Sequence, residues 1–374
     1  MNESRNAVEH FRGYAWEDLA HSPLMLYYEV TQACDLVCKH CRASAQPESH
    51  PAELDTGNAI SLLRQATAFP RKPNVVFTGG DPLKRRDIWR LLETAVALGL
   101  NTALTPSATP LATFDALRRA KDVGVSAIGL SLDGVDAPTH DAFRGWDGSF
   151  ARTIELLAIA RELGFYVQVN TTITRRNYAQ VDALAEMLAA YGIAMWSVFF
   201  LVPVGRGQAE ERISPDEYEE VFARLWRQSL SCPFAIKTTE APHYRRFVLR
   251  RMEQENVPVE RRKIRSLVGV GDGRGIMFVS HIGEIYPAGF LPIYCGVFPQ
   301  ASIVDVYQRH PVFLALRQPD LFRGKCGSCN YRYVCGGSRS RAYAVTGDYL
   351  ESEPDCVFVS EPNASPILPE TLRV

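Results

Sequence analysis

The chain has 374 residues, of which 46% are hydrophobic and 22% are charged, and its formal net charge at pH 7 is -1. This composition is that of a globular protein long enough for one large domain and a smaller one. A net charge near zero argues against a nucleic-acid partner bound through bulk electrostatics. The chain opens on no apolar signal sequence, and no uncharged apolar run reaches the roughly 20 residues that span a bilayer. We therefore expect a cytoplasmic protein without a membrane partner.

Between residue 24 and about residue 205, short apolar runs alternate with longer amphipathic stretches. Six runs have the composition of strands, at 24–30, 74–77, 101–105, 126–132, 166–172 and 194–202. Five helical patterns separate them, at 56–69, 86–99, 113–124, 149–164 and 177–192. Four of these helices end at a glycine that can form a left-handed cap, namely Gly99, Gly124, Gly164 and Gly192. The alternation predicts an α/β fold with a parallel sheet and outer helices, either open or closed as a barrel.

A short polar or glycine-rich motif follows each of the six predicted strands. These motifs are a cysteine loop, TGGDP, TPSATP, SLDG, NTTIT and PVGRG. In parallel α/β folds the carboxyl ends of the strands meet at one rim, where active sites lie. Each motif alone is an ordinary connection, but their coincidence with the cysteines predicts one shared site at that rim.

Three of the nine cysteines lie in the motif CDLVCKHC, as Cys34, Cys38 and Cys41. Clustered cysteines in a cytosolic protein bind metals more often than they form disulfides. Three thiolates are too few for a closed tetrahedral zinc site. They suit a [4Fe–4S] cluster in which the fourth iron stays open to another ligand.

Four further cysteines lie near the C-terminus, as Cys326, Cys329, Cys335 and Cys356. Four thiolates form a closed set for one zinc ion or one cubane cluster, and the spacing alone favours zinc. Cys232 and Cys295 stand apart from both sets, and Cys232 has the simplest interpretation of a small buried hydrophobe.

The motifs CDLVCKHC, GGDP and SLDG together resemble the signature of the radical S-adenosylmethionine (SAM) superfamily. The resemblance extends over nearly the whole chain. It implies a partial (β/α)6 barrel of the TIM type and an enzyme, an oxidoreductase or lyase, whose open iron binds SAM. Electron transfer then cleaves SAM to a 5′-deoxyadenosyl radical, which abstracts hydrogen from a substrate. A flavodoxin or ferredoxin is the electron donor that the family implies.

The resemblance also assigns SAM contacts to residues of the rim motifs. These are His40, Gly79, Gly80, Asp81, Pro82, Ser107, Asp133, Arg144 and Asn170. Asp81 departs from the family pattern, which has Glu at that position. The alternatives are a plain tight turn at the glycines, a simple Asp133–Arg144 pair, and a structural role for Asn170. The catalytic residue is open, and its candidates are Tyr27, Glu29, His243 and Tyr244, with Asn170 and Thr172 as further cavity residues.

The C-terminal cysteine segment resembles the SPASM/twitch extension of radical SAM enzymes. That resemblance favours an auxiliary [4Fe–4S] cluster over zinc, held by the four C-terminal cysteines. The ligands of a second auxiliary cluster are missing, because Ala288 and Arg339 stand where cysteines are expected. We therefore predict five segments: an N-terminal extension (1–23), a barrel (24–210), a helical linker (211–270), an auxiliary-cluster domain (271–360) and a tail (361–374). Within the auxiliary-cluster domain we expect a hairpin at 276–290 that turns near Gly283.

The ending CGGSRSRAYAVTGD most resembles enzymes that remove or decarboxylate tetrapyrrole propionates in heme d1 and alternative heme biosynthesis. The arginine-rich stretch 240–265 offers Arg245 and Arg246 to substrate carboxylates, although a solvated helical face is the alternative. A second hypothesis is a SPASM-type maturase that modifies a ribosomally made peptide; only about 23 residues precede the first strand, so we expect no fused leader-recognition domain. A third is a non-catalytic iron–sulfur or zinc protein.

Overall fold

The structure, a computed structural model, describes residues 14–255, 270–361 and 364–368. Its strands are β1 (Met25–Glu29), β2 (Asn74–Thr78), β3 (Thr102–Leu104), β4 (Ala127–Ser131), β5 (Tyr166–Ile173), β6 (Met195–Phe200), β7 (Ala235–Thr239), β8 (Ile276–Val279) and β9 (Ile285–Tyr286). Its helices are α1 (Asp18–His21), α2 (Thr56–Ala66), α3 (Ile88–Ala97), α4 (Phe114–Val123), α5 (Ala137–Arg144), α6 (Ser149–Glu162), α7 (Val181–Ala190), α8 (Pro215–Ser231), α9 (His243–Glu255), α10 (Ile303–Arg309), α11 (Pro311–Leu316), α12 (Gly324–Gly327) and α13 (Arg339–Thr346). Short 3-10 turns lie at Pro82–Lys84, Tyr178–Gln180, Ala209–Glu211 and Pro319–Leu321.

The nine strands of the described ranges form one sheet in the order β7-β6-β5-β4-β3-β2-β1-β8-β9. Strands β1 to β8 run parallel, and only β9 is antiparallel, to β8. Residues from all eight parallel strands line a single cavity, so the sheet curves around that cavity without closing on itself. This arrangement confirms the α/β prediction and has the form of a partial barrel.

The pattern of burial along the strands explains why the sheet takes this form. In β5, residues alternate strictly between buried and half-buried positions, because one face packs on helices and the other faces the cavity. The outer helices bury one apolar stripe each; in α3 this stripe includes Leu91, Leu92 and Ala95. Gly124 ends α4 with φ of 104°, a left-handed conformation that residues with a Cβ rarely adopt.

The six predicted strands and the five predicted barrel helices are all present. The description of 211–270 as helical is wrong at one place, because β7 occupies Ala235–Thr239. The sequence AIKTT is short and lies between two strong helical patterns, so its alternation gives little signal. Of the arginine-rich stretch 240–265, the structure shows α9 as far as Glu255, and residues 256–265 lie outside the described ranges.

The predicted hairpin at 276–290 forms from β8 and β9, and Gly283 turns it with φ of 88°. The first strand of the hairpin, β8, also pairs in parallel with β1, which was not predicted. The C-terminal segment therefore extends the main sheet. The division of the chain into domains stays a prediction.

A buried arginine joins the C-terminal helix α13 to the barrel. Arg341 is fully buried and donates to the carbonyls of Phe200 and Glu240 at 3.3 and 2.7 Å. Its guanidinium also forms an ion pair with Glu353 at 3.1 Å. In the described ranges, no helix combines the length and apolarity needed to cross a bilayer.

Candidate functional site

A cavity of about 470 Å³ opens inside the curved sheet. Cys34, Cys38 and Cys41 lie on its wall, together with residues from each parallel strand. The cavity has a size typical of small-molecule and cofactor sites. The rim predicted from the sequence is therefore one continuous surface in the structure.

The cysteine loop between β1 and α2 is fixed by backbone contacts at both ends. The Cys34 N–H donates to the Gln46 carbonyl at 2.7 Å. Arg206 reaches across from the segment after β6 and donates to the carbonyls of Cys38 and Ala45, both at 2.9 Å. This anchoring holds three thiols over the cavity in a loop that has no regular secondary structure of its own.

The surroundings of the three thiols fit a thiolate-bound cluster. Backbone N–H groups of Leu36 and Ala45 approach the Sγ atoms of Cys34 and Cys41 at 3.4 and 3.5 Å. Burial raises the pKa of the Cys34 thiol to about 11, so the thiolate needs a cationic partner such as iron to be stable there. Throughout the part of the chain that the structure describes, no three His, Cys, Asp or Glu side chains converge on a single metal position.

The GGDP loop after β2 lies directly against the cysteine loop. A Cβ atom on Gly80 would come within 2.4 Å of the Ala33 carbonyl oxygen, and one on Gly79 within 2.5 Å of the Thr31 carbonyl oxygen. Both glycines line the cavity, and the Ser107 hydroxyl donates to the Gly80 carbonyl at 2.9 Å. Close approach of two backbones therefore explains the glycine pair.

Asp81 and Pro82 take a different position from the glycines. The Asp81 side chain is fully buried and accepts hydrogen bonds from the Thr109 hydroxyl at 2.7 Å and the Leu83 N–H at 3.1 Å. Pro82 begins the short 3-10 turn behind it. Neither residue is on the cavity wall, and both lie behind the glycine pair.

Asp133 and Arg144 form an ion pair at the carboxyl end of β4. The carboxylate is fully buried, lies 2.5 Å from the Arg144 Nη2 and accepts from the Thr172 N–H at 2.7 Å. Burial alone would raise the pKa of Asp133, but Arg144 and nearby histidines hold it below its usual value. Arg144 itself lines the cavity, and its Nη1 lies 3.8 Å from the Cys38 Sγ. The pair thus places a cation beside the cysteine loop.

His40 and Asn170 lie on the cavity wall. The His40 ring packs on Phe143 with 4.4 Å between centroids, and its buried Nδ1 atom has no hydrogen-bond partner. Burial lowers the pKa of His40 to about 3, so the ring is neutral at physiological pH. A neutral ring with an unused polar atom beside the cavity fits a bound ligand that would satisfy it.

The family model of the radical SAM superfamily matches residues 28–188. The AdoMet-dependent heme synthase of Methanosarcina barkeri is 34% identical over 343 residues, covering 91% of this chain and 98% of that protein. The chain belongs to the radical SAM superfamily.

Two further known proteins resemble this radical SAM enzyme, one in sequence and one in structure. The pre-heme d1 synthase of Dinoroseobacter shibae is 27% identical, over 90% of this chain and 86% of that protein. SuiB of Streptococcus suis, whose crystal structure has S-adenosylmethionine bound, superimposes with a TM-score of 0.70 at 19% identity, over 95% of this chain and 82% of that chain. The SuiB match confirms the fold, including the partial barrel with its C-terminal domain.

The four C-terminal cysteines of this radical SAM enzyme surround a second, small cavity of about 20 Å³. Backbone N–H groups approach the four Sγ atoms: Glu353 to Cys326 at 3.2 Å, Tyr331 to Cys329 at 3.4 Å, Gly337 to Cys335 at 3.4 Å, and Phe358 to Cys356. The basic side chains around them are Arg246, Lys325, Arg332 and Arg339. Four thiols, N–H donors and cations around one cavity fit a negatively charged cluster.

The catalytic candidates lie at different places in the structure. Tyr27, Thr172 and Tyr244 line the main cavity, and burial raises the pKa of Tyr27 to about 12. Glu29 and His243 do not line it. His243 lies on the wall of the small cysteine cavity and packs against aromatic rings, with 4.9 Å between its centroid and that of Phe222.

The two arginines predicted to bind carboxylates also lie at different cavities. Arg246 forms an ion pair with Glu219 and faces the small cavity, so it is not available in the main one. Arg245 lines the main cavity and donates to the carbonyls of Val270 and Val334 at 2.7 and 3.2 Å. The predicted patch on one helix is therefore divided between two sites.

The sequence analysis missed an acidic pair on the main cavity wall. Glu240 follows β7 directly with φ of 57°, and both Glu240 and Asp272 line the cavity. The Ser338 hydroxyl donates to Glu240 at 2.5 Å, and the Ser340 hydroxyl donates to Asp272 at 2.7 Å. Burial and the nearby Asp272 carboxyl raise the pKa of Glu240 to about 8. The signal that would have found Glu240 is its place after a parallel strand, and that strand was not predicted.

Proposed function

We propose that this radical SAM enzyme acts on a carboxylate-bearing tetrapyrrole and removes or decarboxylates its propionate side chains. The observation that carries the proposal is the similarity to the heme synthase of M. barkeri, which spans 98% of that protein. The similarity to a pre-heme d1 synthase points to the same substrate class. A match over almost the whole length includes the cavity wall as well as the cofactor loop.

The cavity wall suits such a substrate. It combines apolar and aromatic residues with the cationic side chains of Arg42, Lys237 and Arg245. A flat apolar ring with carboxylate substituents needs both kinds of contact. The part of the wall formed by Cys34, Cys38 and Cys41 would hold the cofactor.

The SAM-binding roles are proposed for the rim residues that line the cavity. Cys34, Cys38 and Cys41 would hold a [4Fe–4S] cluster, which together with bound SAM supplies the 5′-deoxyadenosyl radical. Gly79 and Gly80 line the same cavity, and their backbone carbonyl groups would accept from the SAM amino group. Ser107, Arg144, Asn170 and His40 offer further polar contacts, while Asp81, Pro82 and Asp133 position them from behind.

An auxiliary [4Fe–4S] cluster is proposed at Cys326, Cys329, Cys335 and Cys356. All four thiols are already used as ligands in such a cluster, so it has no open iron for substrate and suits electron transfer. A flavodoxin or ferredoxin is the electron donor we propose for the enzyme. The expected iron content is about eight per chain, four for each cubane.

The auxiliary cluster is tested by replacing Cys335 with Ser and measuring iron, sulfide and zinc after anaerobic reconstitution. We expect iron to fall by about half while the protein still cleaves SAM, since the first cysteine loop is untouched. Replacing the buried Cys232, which belongs to neither cysteine set, is the matched control and should leave the iron content unchanged. Zinc in place of iron in the wild type would contradict the proposal.

The substrate class is tested by measuring 5′-deoxyadenosine from the reduced protein, with and without Fe-coproporphyrin and other porphyrin carboxylates. We expect a tetrapyrrole to stimulate production above the background without substrate, and a propionate to be lost from it. Background cleavage that no tetrapyrrole stimulates would refute the substrate and favour the peptide-maturase hypothesis. Intact clusters without any cleavage would contradict the assigned radical chemistry itself.

A further inference from the structure

A buried ionic network lies between the cysteine loop and the β8–β9 hairpin. Glu29, the last residue of β1, is buried and divides its two carboxylate oxygens between two partners. Oε2 accepts from the Arg42 Nη2 at 2.7 Å, and Oε1 lies 2.7 Å from the His281 Nδ1. Arg42 directly follows the third cysteine of the loop, and His281 lies in the turn of the hairpin. The network therefore ties the cofactor loop to the C-terminal part of the sheet.

The geometry of Arg42 gives it a defined orientation at the cavity. Its guanidinium lies over the Phe278 ring, 4.5 Å from the centroid, and both residues line the main cavity. One nitrogen is bound to Glu29, and Nη1 makes only a long contact of 3.5 Å to the Gly289 carbonyl. A guanidinium has five N–H donors, so donors remain for a ligand. Stacking and the Glu29 contact together fix the plane in which those donors point.

A structural ion pair alone does not require this arrangement. A charge pair that only holds two loops together is most stable when both partners are fully satisfied by protein groups. The Arg42 side chain instead forms part of the cavity wall and is 20% exposed, whereas the side chain of its partner Glu29 is 5% exposed. Glu29 and His281 thus lie behind the arginine, and the arginine lies between them and the cavity.

We propose that Arg42 binds a carboxylate of the substrate, and that Glu29 and His281 are positioning residues that orient its guanidinium. This inference rests on the proposed function, in which the substrate is a tetrapyrrole with propionate side chains. A planar guanidinium matches a carboxylate with two parallel hydrogen bonds, which a lysine ammonium does not reproduce. Arg42 lies beside the cysteine loop, so this contact holds a propionate close to the cofactor.

The test is the binding of two porphyrins to the holoenzyme, followed by absorbance. Fe-coproporphyrin carries carboxylates, and Fe-octaethylporphyrin has a similar ring without them. For Arg42→Gln we expect the Kd of Fe-coproporphyrin to rise about 10- to 100-fold, the scale of a charge-assisted hydrogen bond. The Kd of Fe-octaethylporphyrin should not change. Arg42→Lys should lose most of the same affinity, because it keeps the charge but not the paired donors.

Two further variants separate orientation from folding. His281→Asn should raise the Kd of Fe-coproporphyrin by a smaller factor than Arg42→Gln, and again leave the carboxylate-free porphyrin unaffected. Arg118→Gln, on the exposed outer side of α4, is the matched control and should bind both porphyrins like the wild type. Iron content is measured for each variant, so that a poorly assembled cluster is recognised.

The outcomes distinguish this inference from the proposed function. Equal weakening of both porphyrins in Arg42→Gln would show a general structural role and overturn the inference. Unchanged binding of Fe-coproporphyrin would also overturn it, and would leave the tetrapyrrole proposal intact. If the wild type binds neither porphyrin, the proposed function fails, and the assignment of Arg42 to a propionate fails with it.

Discussion

At the scale of single residues, the site depends on how closely two loops can approach. Gly80 has no left-handed φ, so the backbone conformation itself would accept another residue. Space excludes it, because a Cβ would lie 2.4 Å from the Ala33 carbonyl and 2.6 Å from that of Gln32. Gly164 shows the opposite case, with φ of 68° and no atom within 4 Å of its Cβ position. Gly80 is therefore required because a side chain would clash with the neighbouring loop, whereas Gly164 is favoured only because of its positive φ.

We expect Gly80→Ala to displace the cysteine loop and to lower SAM-dependent formation of 5′-deoxyadenosine at least tenfold, or about 1.4 kcal/mol. Overpacking of this kind also costs about 1–3 kcal/mol of stability. Gly164→Ala should lower stability by about 1 kcal/mol through its positive φ and leave SAM cleavage unchanged. Activity and unfolding are measured on both variants; equal activity in the two would contradict the role of the close approach.

The sequence predicted the identity of the rim residues better than their roles. The cysteines, the glycine pair and Ser107 were named from motifs and from the family resemblance, and the structure places them on one cavity wall. The pairing of Asp133 with Arg144, which was the plain alternative, is present at 2.5 Å. The link from Glu29 to His281 could not be predicted, because these residues are 252 positions apart and leave no local signal.

At the scale of elements, local periodicity was sufficient to predict the first six strands of the barrel. It did not predict β7 or the pairing of β8 with β1. Strands with long apolar runs and helices ending in glycine were predicted within a few residues of their bounds. The 3-10 turn Tyr178–Gln180 precedes α7, which begins at Val181 although the pattern begins at 177. The parallel pairing of β8 with β1 depends on the whole barrel, so a local hairpin pattern predicts only its pairing with β9.

Helix α8, which packs against β7, has a complete capping box at its first turn. The Ser214 hydroxyl accepts from the Glu217 N–H at 3.3 Å, and the Glu217 carboxylate accepts from the Ser214 N–H at 2.6 Å. We expect Ser214→Ala to lower the free energy of unfolding by about 1 kcal/mol, since the N–H of Glu217 loses its partner. Ser214→Thr, which can keep the cap, is the control in the same urea titration. An Ala variant as stable as the Thr variant would contradict the contribution of the cap.

At the scale of the whole molecule, charged groups buried between the barrel and the C-terminal segment hold the two together. Arg341 contacts carbonyls at the ends of β6 and β7, and its charge is balanced by Glu353 and Asp355. Beside it, Glu240 from the barrel and Asp272 from the segment before β8 share the Ser340 hydroxyl, which lies 3.5 Å from a Glu240 oxygen and 2.7 Å from an Asp272 oxygen. Two carboxyls so close retain a proton that each would lose in water.

This shared proton makes stability depend on pH in a defined direction. Burial and Asp272 raise the pKa of Glu240 from 4.5 to about 8 in the folded protein. Between these two values the folded state holds a proton that the unfolded state has released, so stability falls as pH rises. Below the unfolded value both states are protonated, and above about 8 the loss is complete.

Glu240→Gln removes the titrating group while keeping a neutral side chain of nearly the same shape. We expect the variant to gain stability relative to the wild type as pH is raised from about 5 to 8, because only the wild type has a carboxyl that is protonated when folded and ionised when unfolded. Urea unfolding at several pH values measures this difference, with the exposed Glu253→Gln as the control whose difference from the wild type stays constant. Parallel curves for Glu240→Gln and the wild type would mean that the pair holds no proton, and that the contact between barrel and C-terminal segment is not sensitive to pH.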